Sequence, residues 1–233
     1  MHVFSQENQE GLEGILYRKE RSFGISANTR GYGISFRKGQ HLTGKSQRLL
    51  DFDLLVIKHP KEIKTLNQYY DNPKSFVYGK LNSLTSFRAG LGWMKVLYQK
   101  EDPINIEVRY NLCGGASLGF AKPVYLYVLQ ESSDPYNPNR IIVRYDADKY
   151  PIDVIYGKAP LGYGLEKTKI HPGVYIKTGM SFDWAYDDDK VRCLEIGLVA
   201  DYYPKAIQIM AYNQPNSLFT LIYANFNFGR KWN

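Results

Sequence analysis

Ten charged side chains stand at alternate positions within segments whose other positions are apolar. Four of them are basic and six are acidic: Arg37, Asp51, Asp53, Arg88, Glu107, Arg109, Lys177, Asp183, Glu195 and Asp201. Charges of both signs on one face can form ion pairs, conduct protons or bind a polar ligand. Because an unpaired buried charge is costly, we predict that they form an ion-pair network that stabilises an enclosed interior. A proton path, an ion path or a ligand pocket is the alternative.

Two histidines stand directly before prolines and have a glutamate nearby in the sequence. The candidate residues are His59, His171, Glu62 and Glu166. A histidine beside a carboxylate can act in acid–base catalysis or bind a metal. No serine-containing hydrolase motif and no zinc-type spacing accompany them. We therefore expect two histidines that end strands at an interface, with no metal and no cofactor, and we keep a catalytic rim site as the alternative.

The elements that must position these residues are strands, because polarity alternates with period two. Eight segments follow this rule: residues 21–29, 31–38, 48–57, 86–98, 104–120, 174–186, 191–202 and 218–228. Most have about 9–13 residues, which is the length a tilted strand needs to cross a bilayer. The last segment is the clearest, with Ile222, Ala224, Phe226 and Phe228 on its apolar face.

The connections alternate between long and short. Residues 58–84 and 131–171 are long, whereas 101–103 and 187–189 are short turns. This alternation is typical of outer loops and periplasmic turns. The first connection is short where an outer loop is expected. Within the long connections we predict a short helix over residues 58–72 and a strand over Arg140–Tyr145.

These observations predict an all-β, antiparallel transmembrane β-barrel of eight strands, with ten as the alternative. The strand lengths, the loop alternation and the terminal segment Ile222–Trp232 resemble the small outer-membrane β-barrels of Gram-negative bacteria, in the size class of OmpX and the OmpA membrane domain. The resemblance implies one barrel domain over residues 21–233. It also implies a monomer in the outer membrane, reached by signal-peptide export, and we interpret residues 1–20 as a signal remnant or a periplasmic segment.

Five lysines in the first long connection carry more charge than the two acids there, Glu62 and Asp71. They are Lys58, Lys61, Lys64, Lys74 and Lys80. Above the outer leaflet they would meet lipopolysaccharide phosphates. We therefore predict a structural or interaction protein rather than an enzyme, one that contacts lipopolysaccharide or an envelope protein partner. The alternatives are a lipid-modifying enzyme and a soluble lipocalin-like barrel with an apolar interior.

The composition limits the class of protein further. No run of about 18 apolar residues occurs, so no transmembrane helix is predicted. Twenty Tyr, eleven Phe and three Trp are typical of chains that meet a membrane interface. The net charge of +7 is spread along the chain, so we expect no nucleic-acid partner. Cys113 and Cys193 fall on inward positions of strands that are not neighbours, and we expect two buried free thiols.

Overall fold

Antiparallel strands make up almost all of the regular secondary structure. The computed structural model describes residues 17–70, 72–100, 105–130 and 139–233. Its strands are β1 (Lys19–Asn28), β2 (Gly31–Thr43), β3 (Ser46–Ile57), β4 (Lys64–Thr65), β5 (Phe76–Val77), β6 (Asn82–Tyr98), β7 (Glu107–Pro123), β8 (Tyr125–Gln130), β9 (Asn139–Arg144), β10 (Ile155–Lys158), β11 (Lys169–Asp183), β12 (Lys190–Ile207) and β13 (Asn216–Trp232). One short 3-10 helix spans Ile152–Val154. Within these ranges no helix is long and apolar enough to cross a membrane.

Eight of the strands close into a barrel. Their order around the ring is β1-β13-β12-β11-β7-β6-β3-β2, and every pair of neighbours is antiparallel. Ile25 of β1, for example, lies opposite Phe226 on one side and Ile34 on the other. Closure leaves no strand edge unpaired, which is the condition for a sheet to cross a bilayer. The predicted eight-stranded antiparallel barrel is confirmed.

Each of the eight predicted segments overlaps a different barrel strand, and most of these strands extend beyond them. The segments 21–29 and 174–186 end one and three residues past their strands, and 104–120 begins before β7, with residue 104 outside the described residues. The last strand continues to Trp232, and β1 begins at Lys19, two residues before the predicted domain start. Thr29 and Arg30 form a tight turn between β1 and β2. The first connection is therefore short, although it lies at the barrel end that carries the long ones.

Those long connections build a second, smaller structure at one end of the barrel, which we call the outer end. Strands β10, β8 and β9 form a three-stranded sheet, and β4 pairs with β5. Phe76, Leu126, Tyr145 and Ile155 pack together in the core of this structure. Strand β9 covers most of the strand predicted over Arg140–Tyr145.

The helix predicted over residues 58–72 is wrong. The described part of this segment contains a turn at Pro60–Lys61 and the short strand β4. The buried Asn67 side chain donates hydrogen bonds to the carbonyl oxygens of Ile152, Asp153 and Ile155, at 3.0, 3.0 and 2.8 Å. Strand β4 thus pairs with β5 later in the same connection, and the Asn67 side chain ties this connection to the second long one.

The two faces of the barrel wall differ sharply in polarity. Along the middle of the strands the outward side chains are mostly apolar and exposed, including Ile25 at 61%, Leu91 at 70% and Ile222 at 55% relative accessibility. Inward positions carry the charged residues, nearly all of them buried. A continuous apolar belt is unfavourable in water and suits a lipid surface. The lipocalin-like alternative required the opposite arrangement, and the structure contradicts it.

Candidate functional site

The middle of the barrel interior is crossed by a chain of ion pairs that we call the central network. Arg37 on β2 donates to Asp51 at 2.9 Å and reaches across the lumen to Glu195 on β12 at 2.5 and 3.1 Å. Tyr223 and Ser181 donate two further hydrogen bonds to Glu195, at 2.7 and 3.0 Å. The network therefore joins strands that are not neighbours in the sheet.

Two more cations extend the central network toward the outer end. Lys177 lies 2.9 Å from both Asp51 and Asp53. Arg88 binds Asp201 with two contacts, at 2.5 and 2.8 Å, and lies 3.7 Å from Asp53. Each of these carboxylates contacts at least one cation, and the shared carboxylates Asp51 and Asp53 make the network continuous.

A second group of ion pairs, the inner network, lies toward the opposite end. Arg109 on β7 lies 3.1 Å from Glu20 and 3.1 Å from Asp183, and its Nε also donates to Glu107. Lys100 approaches Asp183 at 3.7 Å. Arg109 thus ties β1, β7 and β11 together.

The structure brings all ten predicted charged residues into these two networks. Nine are buried, and only the side chain of Glu107 is partly accessible, at 18%. The sequence interpretation missed Glu20, because the first strand was predicted to begin at residue 21. Glu20 shares the parity of Ser22 and Ser26, both of which are buried, and this pattern could have identified it.

The outer third of the interior is apolar rather than charged. Tyr203 and Phe219 pack edge to face at 5.8 Å between their ring centroids, within a buried cluster that also includes Ile57, Leu84 and Leu221. The Tyr203 hydroxyl lies 2.9 Å from that of Ser86. Side chains therefore fill this end of the lumen, as small barrels require.

The candidate rim residues do not form one constellation. His59 Nδ1 accepts a hydrogen bond from the backbone of Lys61 at 3.2 Å, and the His59 backbone donates to Glu62 at 2.9 Å. His171 is buried, and its Nδ1 lies 3.3 Å from the carbonyl oxygen of Lys205. Strands β6 and β7 stand between β3, which precedes His59, and β11, which carries His171.

The surroundings of His59 and Glu166 do not point to catalysis or to metal binding. Partial burial and then the charge of Arg30 hold the pKa of His59 below its usual value. Glu166 is exposed in the connection before β11. No group of His, Cys, Asp and Glu side chains suited to a metal ion occurs among the described residues.

Both cysteines are buried and free. Cys113 lies on β7 and Cys193 on β12, and β11 separates the two strands. Cys113 packs with Leu49 and Met94, and Asn227 donates a weak hydrogen bond to the Cys193 sulfur at 3.6 Å. The thiols thus fill space in the lumen, as the strand order predicted.

The five loop lysines have different surroundings. Lys80 is bound to Glu62 at 2.6 Å, and Lys61 donates to the Asn213 side chain at 3.0 Å. The ammonium groups of Lys58 and Lys74 lie over the rings of Tyr32 and Tyr127, at 5.3 and 5.5 Å, and Lys64 is exposed. Four of the five therefore have no carboxylate partner among the described residues, and Asp71 lies outside them.

A closed antiparallel barrel with an apolar exterior and an ion-paired interior defines a transmembrane β-barrel. The chain has the architecture of the small eight-stranded outer-membrane barrels, as the sequence resemblance predicted. The class assignment rests on the strand order and on the polarity of the two faces.

Comparisons with known proteins concern architecture alone. No family model and no curated protein matches the sequence. Among solved structures, the chain is similar to Ail, the attachment invasion locus protein of Yersinia pestis, with 8% identity, a TM-score of 0.41, and coverage of 93% of this chain and 100% of Ail. It is similar to Neisserial surface protein A with 11% identity, a TM-score of 0.35, and coverage of 92% and 95%. It is also similar to the N-terminal β-barrel domain of Pseudomonas aeruginosa OprF, with 9% identity, a TM-score of 0.37, and coverage of 91% of this chain and 97% of that domain.

Proposed function

We propose that this chain is an integral outer-membrane protein of structural or interaction type, whose outer loops contact lipopolysaccharide. The observation that carries the proposal is the charge of the outer end. Its loop residues, 29–30, 58–81, 124–168 and 208–215, contain eleven Lys and Arg against eight Asp and Glu. An excess of cations above an apolar belt favours anionic lipid groups.

The position of the basic residues matches the expected height of lipid phosphates. Lys58 directly follows β3, and Lys122 lies near the end of β7, so both stand where the apolar belt meets the loops. The side chains of Lys58 and Lys122 point outward, because these residues stand an even number of positions from the belt residues Leu54 and Leu118. A phosphate at this height would accept charge-assisted hydrogen bonds from such ammonium groups.

The loop structure that displays these cations has a packed core of its own. The Gly79 backbone donates to the Tyr145 hydroxyl at 3.2 Å, which links the first long connection to the second. Burial raises the pKa of Tyr145 to about 12, so this hydroxyl stays neutral at physiological pH. A loop platform held by such contacts pays little ordering entropy on binding.

The test compares two doubly substituted barrels with the wild type. Lys58→Gln with Lys74→Gln removes two outer cations, and Lys45→Gln with Lys95→Gln removes two at the opposite end as a matched control. Affinity for detergent-solubilised lipopolysaccharide is measured by isothermal titration calorimetry. We expect the outer pair to lose about 2 kcal/mol, at about 1 kcal/mol per cation, and the control to bind like the wild type.

Two outcomes would overturn the lipopolysaccharide proposal: the absence of binding by the wild type, or equal losses in the two variants. Retained insertion into membranes without lipopolysaccharide binding would instead favour an envelope protein partner for the outer loops. Signal-peptide export belongs to the same proposal. It is tested by fractionating the cell envelope and determining the mature N-terminus by mass spectrometry.

A further inference from the structure

Three cations lie side by side on the outward face at the end of the barrel opposite the long loops. Arg21 on β1 is directly opposite Lys38 on β2 and Arg230 on β13. All three are exposed. We call these three residues the inner cluster, and they form one row across three adjacent strands.

This row is unfavourable by itself. Side chains directly opposite on antiparallel strands have Cβ atoms about 4.5–5.5 Å apart, and like charges in such pairs destabilise the sheet. Arg21 stacks over the ring of Trp232 at 4.3 Å, a contact that attracts the cation but supplies no counter-charge. None of the three cations has an ion pair with a described carboxylate, whereas the neighbouring Lys190 binds Asp187 at 2.6 Å.

The exterior of the barrel supplies no counter-charge. The outward positions of the eight barrel strands carry no Asp or Glu, because every acidic residue in these strands points inward. Further exposed cations occur toward the same end on other strands: Arg48, Lys95 and Arg192. Among the described residues, therefore, no carboxylate neutralises the inner cluster, and the three cations are available to an anion of another molecule.

The apolar row beside the cluster indicates what kind of molecule that is. Phe36, Phe23 and Phe228 are also directly opposite one another, and each lies two residues from a cation of the cluster. Two residues of strand correspond to about 7 Å. A ligand that fits both rows has a phosphate at one end and an apolar chain at the other.

We propose that the inner cluster binds the phosphate of an anionic phospholipid in the periplasmic leaflet. This inference rests on the proposed membrane function and adds a lipid site at the end away from lipopolysaccharide. Guanidinium groups suit phosphate oxygens through paired charge-assisted hydrogen bonds. The phenylalanine row contacts the first part of the acyl chains, and Trp232 lies at the interface, where its amphipathic ring is favoured.

The first experiment measures lipid selectivity. The barrel is inserted into nanodiscs of phosphatidylcholine and phosphatidylglycerol without lipopolysaccharide, and retained lipids are counted by native mass spectrometry. We expect Arg21→Gln with Arg230→Gln to lower the retained ratio of phosphatidylglycerol to phosphatidylcholine about thirtyfold. Arg48→Gln with Lys95→Gln removes the same charge toward the same end, outside the row, and should change the ratio much less.

The second measurement separates lipid binding from a structural role. In pure phosphatidylcholine the Arg21→Gln and Arg230→Gln barrel should unfold at a higher urea concentration than the wild type, because the repulsion in the row is gone. In phosphatidylglycerol the order should reverse. The proposal would be overturned by equal loss of selectivity in both variants or by no selectivity in the wild type. It would also be overturned if the order of unfolding stability did not reverse between the two lipids. Failure of the wild type to insert into either lipid would instead contradict the membrane function itself.

Discussion

The charges inside the barrel and those on its outer surface obey different rules, although both come from the same strands. Arg37, in the lumen, contacts Asp51 and Glu195, whereas Arg21, on the exterior, has no carboxylate partner among the described residues. A buried cation without a partner is strongly destabilising, whereas the exposed cations remain available to ligands. Successive residues of one strand point to opposite faces, so a residue that stabilises the fold can stand directly beside one that can bind a lipid.

The strongest test of this difference is the loss of an interior cation. Arg37→Ala should lower the free energy of unfolding by about 3–5 kcal/mol, because it leaves Asp51 and Glu195 buried with one partner fewer. Urea unfolding in phospholipid vesicles, followed by tryptophan fluorescence, measures the change. Arg37→Ala combined with Glu195→Gln should recover part of the loss. A single variant within 1 kcal/mol of the wild type would show that the central network is not a stabilising element.

A charge placed on the other face should also destabilise the barrel, for a different reason. Leu198 lies near the middle of the apolar belt, opposite Thr178 and Ile222. Leu198→Lys should cost about 2–4 kcal/mol in the same vesicles, and Leu218→Lys near the belt edge about 0–1 kcal/mol. Equal effects at the two depths would mean that the belt does not face a bilayer.

The inner network should be less sensitive than the central one. Arg109→Ala removes the cation shared by Glu20, Glu107 and Asp183. Water reaches Glu107, so we expect a loss of about 2–3 kcal/mol, at or below the lower end of the range for a broken buried pair. The urea midpoint in the presence of lipid should fall accordingly. An unchanged midpoint would show that the inner carboxylates do not depend on Arg109.

The smallest effect is expected for an ion pair in the outer loops. Lys149 and Asp146 are 3.9 Å apart, and their side chains are 73% and 45% accessible. Solvent screens such a pair, so Lys149→Gln should change stability by less than about 0.5 kcal/mol. A loss comparable with that of Arg37→Ala would remove the distinction between paired interior charges and exterior charges.

The faces of the barrel were predictable from the sequence because strand parity depends only on neighbouring residues. The partners of each charge were not predictable in this way. Arg37 and Glu195 are 158 positions apart, and only the closure of the ring brings them together. Periodicity therefore predicts which residues point inward but not which of them meet.

The outer end was harder to predict, because contacts between distant loops determine its structure. The helix predicted over residues 58–72 is wrong, since β4 pairs with β5 later in the same connection and the Asn67 side chain binds carbonyl oxygens of the second long connection. Glu20 was missed through an error of a few residues at a strand end. The candidate rim histidines had the residue types for catalysis, but the fold places two strands between them.

The central claim is that lipid surrounds the apolar face of this barrel, and a spin label on that face tests it most directly. The label is attached to Leu198→Cys in a barrel carrying Cys113→Ala and Cys193→Ala, with Lys64→Cys in the outer loops as the comparison site. Electron paramagnetic resonance then measures collisions with oxygen and with a water-soluble nickel chelate in vesicles. We predict that oxygen dominates at position 198 and the chelate at position 64. Dominance of the chelate at position 198 in a folded barrel would contradict the account.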